Sequence, residues 1–150
     1  MANAFGSDVV TQVGIVVRNI EKTRANWAAL LGVPEPPIII TAGFDQAQTH
    51  YKGAPSDATA KLCFFNMGQV QIELIEPDGK PSAWQDYLDE HGDSVQHIAI
   101  VTPSMKDALS NLESTSIPLE MKGEYTGGRY AYVDSASKLG VMLELLENDH

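Results

Sequence analysis

Two pairs of strand-like segments repeat along this chain, and the repeat restricts it to a fold built from two equivalent halves. Gln69-Val-Gln-Ile-Glu-Leu-Ile-Glu76 matches Gly140-Val-Met-Leu-Glu-Leu-Leu-Glu147. Each sets one carboxylate, Glu73 or Glu144, in the middle of an apolar strand. A second pair precedes them, Thr11-Gln-Val-Gly-Ile-Val-Val17 and Gln96-His-Ile-Ala-Ile-Val-Thr102. Laying Gln12 on His97 keeps small or apolar residues opposite one another over the next four positions. Gln12, Glu73, His97 and Glu144 therefore occupy corresponding places in two repeats.

Taken singly, none of the four would signify. A strand glutamate usually faces water, and a lone histidine in an apolar strand is usually a hydrogen-bonded core residue. Their correspondence changes the balance, because two repeats about a pseudo-twofold axis would converge all four on one centre. Residues alternate between strand faces, so Gln12 goes with Gly14 and Val16, and His97 with Ala99 and Val101. Glu73 goes with Gln71 and Ile75, and Glu144 with Met142 and Leu146. The small residues Gly14 and Ala99 leave room beside the polar ones. One imidazole, two carboxylates and an amide oxygen suit a single divalent ion such as Mn, Co, Ni, Fe or Zn. Positions left open for water or substrate make such a site catalytic rather than structural.

Composition narrows the remaining classes. The chain has 150 residues, 43% hydrophobic and 20% charged, with a net charge of -10. That is one globular domain with a real core. The negative charge argues against nucleic acid and anionic membranes, both of which need a cationic footprint. A small anionic ligand needs only a local cationic cluster, for which Lys52, Lys61, Lys122 and Arg129 are candidates. No apolar run approaches the roughly 20 residues needed to cross a bilayer. Met-Ala-Asn-Ala-Phe-Gly-Ser-Asp has neither the basic nor the apolar region of a signal peptide. The single Cys63 cannot form an internal disulfide, which fits a buried thiol in a reducing cytoplasm. Neither a P-loop nor a glycine-rich dinucleotide fingerprint is present.

Local chemistry predicts βαβββ twice. A strand over 10–17 leads to a helix capped by Asn19, with Glu21 in its first turn and Gly32 at its end. Ile20, Trp27, Leu30 and Leu31 are predicted as its buried stripe. An extended run follows at 38–41, then a long strand or hairpin over 42–58, in which His50 and Tyr51 could line a pocket mouth. A second hairpin turns near Asn66-Met-Gly68. Ser82 caps a connecting helix carrying Trp84, Tyr87 and Leu88 as packing residues, with Gly92 just past its end. In the second half, Ser104 caps a helix with Met105, Ala108, Leu109 and Leu112 at helical spacing. Strands are predicted over 117–122, 129–134 and 141–146, with a turn at Thr126-Gly-Gly128. Gln12 and Glu73 lie 61 positions apart but His97 and Glu144 only 47, which places an insertion of 14 residues around 43–60.

With these residues in view, the chain resembles the vicinal oxygen chelate superfamily, which includes glyoxalase I, methylmalonyl-CoA epimerase, extradiol dioxygenases and bleomycin-resistance proteins. The resemblance covers roughly 11–147. It is nearest to methylmalonyl-CoA epimerase through Glu73-Leu-Ile-Glu-Pro77, Pro81-Ser82, Tyr87-Leu-Asp-Glu-His-Gly92, Val95-Gln-His-Ile-Ala99 and the pair Gly127-Gly128. It implies an α+β fold, two βαβββ modules (about 9–76 and 95–147) joined by a helical connector (77–94) in an open, cupped mixed sheet. It also implies Gln12, Glu73, His97 and Glu144 as metal ligands. The epimerases usually carry His where this chain has Gln12, while some glyoxalase I enzymes use Gln-Glu-His-Glu. The glutathione-holding Arg and Asn of glyoxalase I fall on Val16 and Pro77. A third-strand Glu that acts as base in one branch of epimerases falls near Lys61.

The function that follows is a metal-dependent isomerase or epimerase. It would move a proton at the carbon beside a carbonyl or thioester, through an enediolate, with Glu144 or Glu73 as base and acid. A small-molecule substrate of the acyl-CoA or 2-oxo type and a homodimer are expected. The alternatives are a glyoxalase I-like lyase, a non-catalytic small-molecule binding protein of the bleomycin-resistance type, and a ring-cleaving dioxygenase. The last is disfavoured because His97 is the only imidazole among the four.

Overall fold

The computed structural model describes residues 2–150; Met1, which opens the N-terminal stretch considered above, lies outside the described residues. The first half contains β1 (Val10–Val16), α1 (Ile20–Leu31), β2 (Ile39–Ile40), α2 (Phe44–Ala47), β3 (His50–Tyr51), β4 (Ala54–Pro55), β5 (Ala60–Asn66) and β6 (Gln71–Pro77). The connector helix α3 (Ala83–His91) leads to β7 (Ser94–Val101), α4 (Met105–Glu113), β8 (Leu119–Tyr125), β9 (Gly128–Val133), α5 (Ala136–Leu139) and β10 (Met142–Asn148). All ten strands form one open sheet in the order β2-β5-β6-β1-β7-β10-β9-β8-β3-β4. β1 runs parallel to β6 and β7 parallel to β10; the other pairs are antiparallel. The fold is α+β, with a mixed, curled, open sheet.

The repeat is explicit in the register. β1 and β7 meet antiparallel at the middle, with Gln12 opposite Ala99 and Gly14 opposite His97. Glu73 lies beside Gly14, and Glu144 beside Ala99. Each half thus repeats the same neighbours about an axis between β1 and β7. The insertion is α2 with the β3–β4 hairpin, a short helix where sequence predicts only strand or hairpin. The hairpin leaves its own half and pairs with β8 of the other, through His50 opposite Lys122 and Tyr51 opposite Met121.

Capping follows the predicted chemistry. The side chains of Asn19, Ser82 and Ser104 accept hydrogen bonds from Lys22, Gln85 and Asp107 backbone N–H groups. Ser82 is fully buried, so Ser82→Ala is expected to cost about 1 kcal/mol, read as a lowered urea midpoint.

Three apolar clusters result. Under α1 lie Val17, Ile20, Ala28, Cys63, Phe65 and Leu74. Under α4 lie Met105, Ala108, Leu112, Leu143 and Leu145, with Ile100 and Val133. On the opposite, inner face, α3 packs Trp84 and Leu88 against Val16, Ile75, Met121, Tyr132 and Met142. The predicted α1 stripe needs correction. Leu30 is 88% exposed and Leu31 is 37% exposed. At 3.6 residues per turn, Leu30 lies about 80° around the helix from Ile20. Leu31 lines up with Ile20 but belongs to the last turn. Ala28 makes the contact instead.

Candidate metal centre

The sheet brings Gln12, Glu73, His97 and Glu144 together from four adjacent strands of one chain. All four are between 0% and 6% exposed. His97 Nε2 lies 3.4 Å from Gln12 Oε1, 3.4 Å from Glu73 Oε1 and 3.3 Å from Glu144 Oε2. One ligand atom each from Glu73, His97 and Glu144 lie within 4.8 Å of one another. Glu73 Oε1 is buried and has no hydrogen-bond partner.

Two features of the strands create this convergence. The register slips by one residue on β1 and one on β7, leaving Thr11 and Gln96 as unpaired bulge residues just before Gln12 and His97. A bulge re-aims side chains. It turns Gln96 alongside its neighbour, and its Oε1 lies 3.0 Å from His97 Nδ1. When Nδ1–H donates to that oxygen, Nε2 is left as a lone pair facing the centre. The second feature is Gly14. A Cβ there would overlap the His97 ring, so the glycine of one strand makes room for the imidazole of the other. Tyr132 closes the floor, with its ring 5.1 Å from that of His97 and its hydroxyl accepting from Trp84 Nε1 at 2.9 Å.

Burial dominates the electrostatics. It pushes the Glu73 carboxyl up from 4.5 to about 8. Burial also raises Glu144, to about 7, held back by His97 and by the Tyr132 hydroxyl and pushed further by Glu73. Burial lowers the His97 imidazole, partly offset by Glu144. The donor set fits a divalent cation: each of the four side chains turns an atom that can act as a ligand toward the others, and one is an orphaned carboxylate oxygen. Gln12, Glu73, His97 and Glu144 are the residues able to hold it.

A pH dependence follows for the metal-free chain. Between the ordinary carboxylate range and pH 7–8 the folded state holds protons that the unfolded state has released, so stability falls as pH rises. The lowered His97 works in the opposite sense, but only while the unfolded imidazole, with its ordinary value of 6.5, still holds a proton. From about pH 7.5 to 8.5, where the unfolded imidazole has lost its proton, the carboxyls dominate. The melting temperature without metal is expected to fall over that range, and saturating divalent metal to abolish the fall.

Other predicted candidates lie elsewhere. Lys61 turns away from the centre, to Glu21 and Glu76, both at 3.5 Å. The four cations form no cluster: Lys52 pairs with Asp86, Arg129 with Glu124, Glu147 and Asp149, and Lys122 is exposed. Tyr51 is buried and donates to Asp86, and His50 packs on Phe44. Gln96 and Tyr132 were missed by sequence reasoning. The signal for Gln96 was two consecutive polar residues, Gln96-His97, in an apolar strand, as at Thr11-Gln12. Nothing local marked Tyr132. No helix among the described residues is long and apolar enough to cross a membrane.

Comparison with known proteins agrees with this architecture. The uncharacterized protein YqjC of Bacillus subtilis (strain 168) is 25% identical over 138 residues, covering 90% of this chain and 89% of its own. The crystal structure of methylmalonyl-CoA epimerase from Mycobacterium tuberculosis superposes with a TM-score of 0.65 at 19% identity, covering 100% of this chain and 94% of that one. A Streptomyces coelicolor methylmalonyl-CoA epimerase variant in complex with 2-nitronate-propionyl-CoA gives 0.63 at 17% identity, covering 94% and 97%. The family model described as Glyoxalase/Bleomycin resistance protein/Dioxygenase superfamily matches residues 11–133. The chain belongs to that superfamily.

Proposed function

We propose that this chain is a metal-dependent isomerase or epimerase, acting at the carbon beside a carbonyl or thioester of a small substrate. The observation that carries this reading is the convergence of Glu73, Glu144, Gln12 and His97 Nε2 in a nearly water-free centre. A divalent ion held by these residues supplies Lewis acidity toward a carbonyl oxygen. The proton work falls to the chain. Coordination lowers the basicity of a carboxylate, so Glu73 or Glu144 would take and return the proton once released from the ion. Their relation about the axis between β1 and β7 suits removal of a proton from one face of a carbon and its return to the other. Burial by Tyr132, Trp84 and Met142 excludes the water that would quench a carbanion. The likeness to epimerases, one with 2-nitronate-propionyl-CoA, supports acyl-CoA thioesters as the first substrates to test.

Incubation in D2O with acyl-CoA thioesters and 2-oxo compounds, followed by NMR, tests the reading alongside elemental analysis. About one metal per chain and deuterium uptake beside the carbonyl are expected, both lost in Glu73→Ala/Glu144→Ala. Stoichiometric metal without exchange on either class would sink the isomerase reading. The Gln12 ligand supports one second reading, a glyoxalase I-like lyase, distinguished by consumption of 2-oxoaldehyde–thiol adducts. A homodimer would carry two complete sites; light scattering checks the mass.

A further inference from the structure

A carboxylate offers an oxygen at either end, but an imidazole and a primary amide do not. His97 can present a lone pair or an N–H, and Gln12 an oxygen or an NH2. Two ionised carboxylates across the centre would draw the donor ends inward, against a cation. Each ambiguous side chain has a glutamine behind it. Gln96 is fully buried, and its Oε1 lies 3.0 Å from His97 Nδ1. Gln71 lies opposite Gln12 in the β1–β6 register. Its Oε1 accepts from Gln12 Nε2 at 3.4 Å, and its own Nε2 donates to Asn66 Oδ1 at 3.1 Å. The amides of Gln12 and Gln71 run in one sense, each donating outward, to Gln71 Oε1 and to Asn66 Oδ1.

We infer that Gln71 and Gln96 are positioning residues, which turn Gln12 Oε1 and His97 Nε2 inward and thereby set the affinity of the centre for a divalent cation. The inference rests on the metal reading above. The second half supplies an internal comparison. At the register position corresponding to Gln71 stands Met142, opposite His97. His97 is oriented from its own strand by Gln96, and the fold accepts a methionine where no orienting amide is needed.

The test is Co2+ affinity by titration calorimetry on the full chain, with thermal melts to confirm folding. Gln71→Met is expected to weaken binding about 10–100-fold, the usual cost of losing an orienting partner. The loss should vanish in the Gln12→Glu background, because a carboxylate has no wrong end. Gln96→Met should weaken binding in both backgrounds, since it acts on His97. If Gln96→Met does not fold, Gln96→Glu keeps the acceptor oxygen and should retain affinity. In the Zn2+-loaded natural chain, 15N NMR should find the His97 proton on Nδ1. An equal loss for Gln71→Met in both backgrounds overturns the positioning role, as does coordination through Nδ1. Natural affinity in the Met variants overturns this inference alone. A folded natural chain that binds none of Co2+, Mn2+, Ni2+ and Zn2+ overturns the metal reading and this inference with it.

Discussion

A Glu144→Gln chain is expected to lose about 10²–10⁴-fold in proton-transfer rate, the usual cost of removing a positioned base, yet to melt higher than the natural chain in metal-free buffer at pH 8. The amide keeps the size of the carboxylate and cannot carry the proton. The gain in stability comes from burial. Glu144 is 4% exposed and its carboxyl is pushed up to about 7, so ionising it at pH 8 costs the folded state free energy that the unfolded chain does not lose. Deuterium exchange on the metal-loaded protein and calorimetric melting on the metal-free protein read the two effects. Exchange at the natural rate would remove Glu144 from the chemistry. A lower melting temperature would refute the account of burial.

Gly14→Ala is the second large effect. The added Cβ would overlap the His97 ring, and the ring has nowhere to go, being fully buried and packed edge-on against Tyr132. Overpacking of this kind costs about 1–3 kcal/mol, and a displaced ring takes Nε2 away from Glu73 and Glu144. A reduced denaturant midpoint together with loss of metal affinity is expected. A variant that binds metal as the natural chain does would show that the strands can part locally. The corresponding Ala99 lies opposite Gln12, whose flexible side chain leaves space for a methyl group that a rigid ring does not.

Sequence reasoning reached furthest where the determining physics is local or repeated. Asn19, Ser82 and Ser104 cap helices because a short polar side chain needs only the next turn of backbone. The matched strands brought Gln12, Glu73, His97 and Glu144 together because a duplicated pattern carries its own symmetry. The misses depend on partners far along the chain. Alternation puts Gln96 on the opposite face from His97, and only the slip of β7 against β1 brings them side by side. Helical spacing puts Leu31 in line with Ile20 but cannot tell that the last turn of α1 leaves it exposed. The destination of the β3–β4 hairpin depends on β8, in the other half.

That hairpin imposes an order in time. Its partner strand is made about seventy residues after it, since His50 pairs with Lys122. At a synthesis rate of about 5–20 residues per second, the hairpin waits roughly 4–14 seconds for a ladder to join, and a lone two-stranded hairpin is marginal in water. The nascent first half therefore leaves the ribosome with β1 able to pair with β6 but lacking β7, and with the β3–β4 hairpin lacking β8. Chaperones that mask strand edges would act in that interval, and slower translation between Tyr51 and Lys122 should lower the soluble yield without changing the finished molecule.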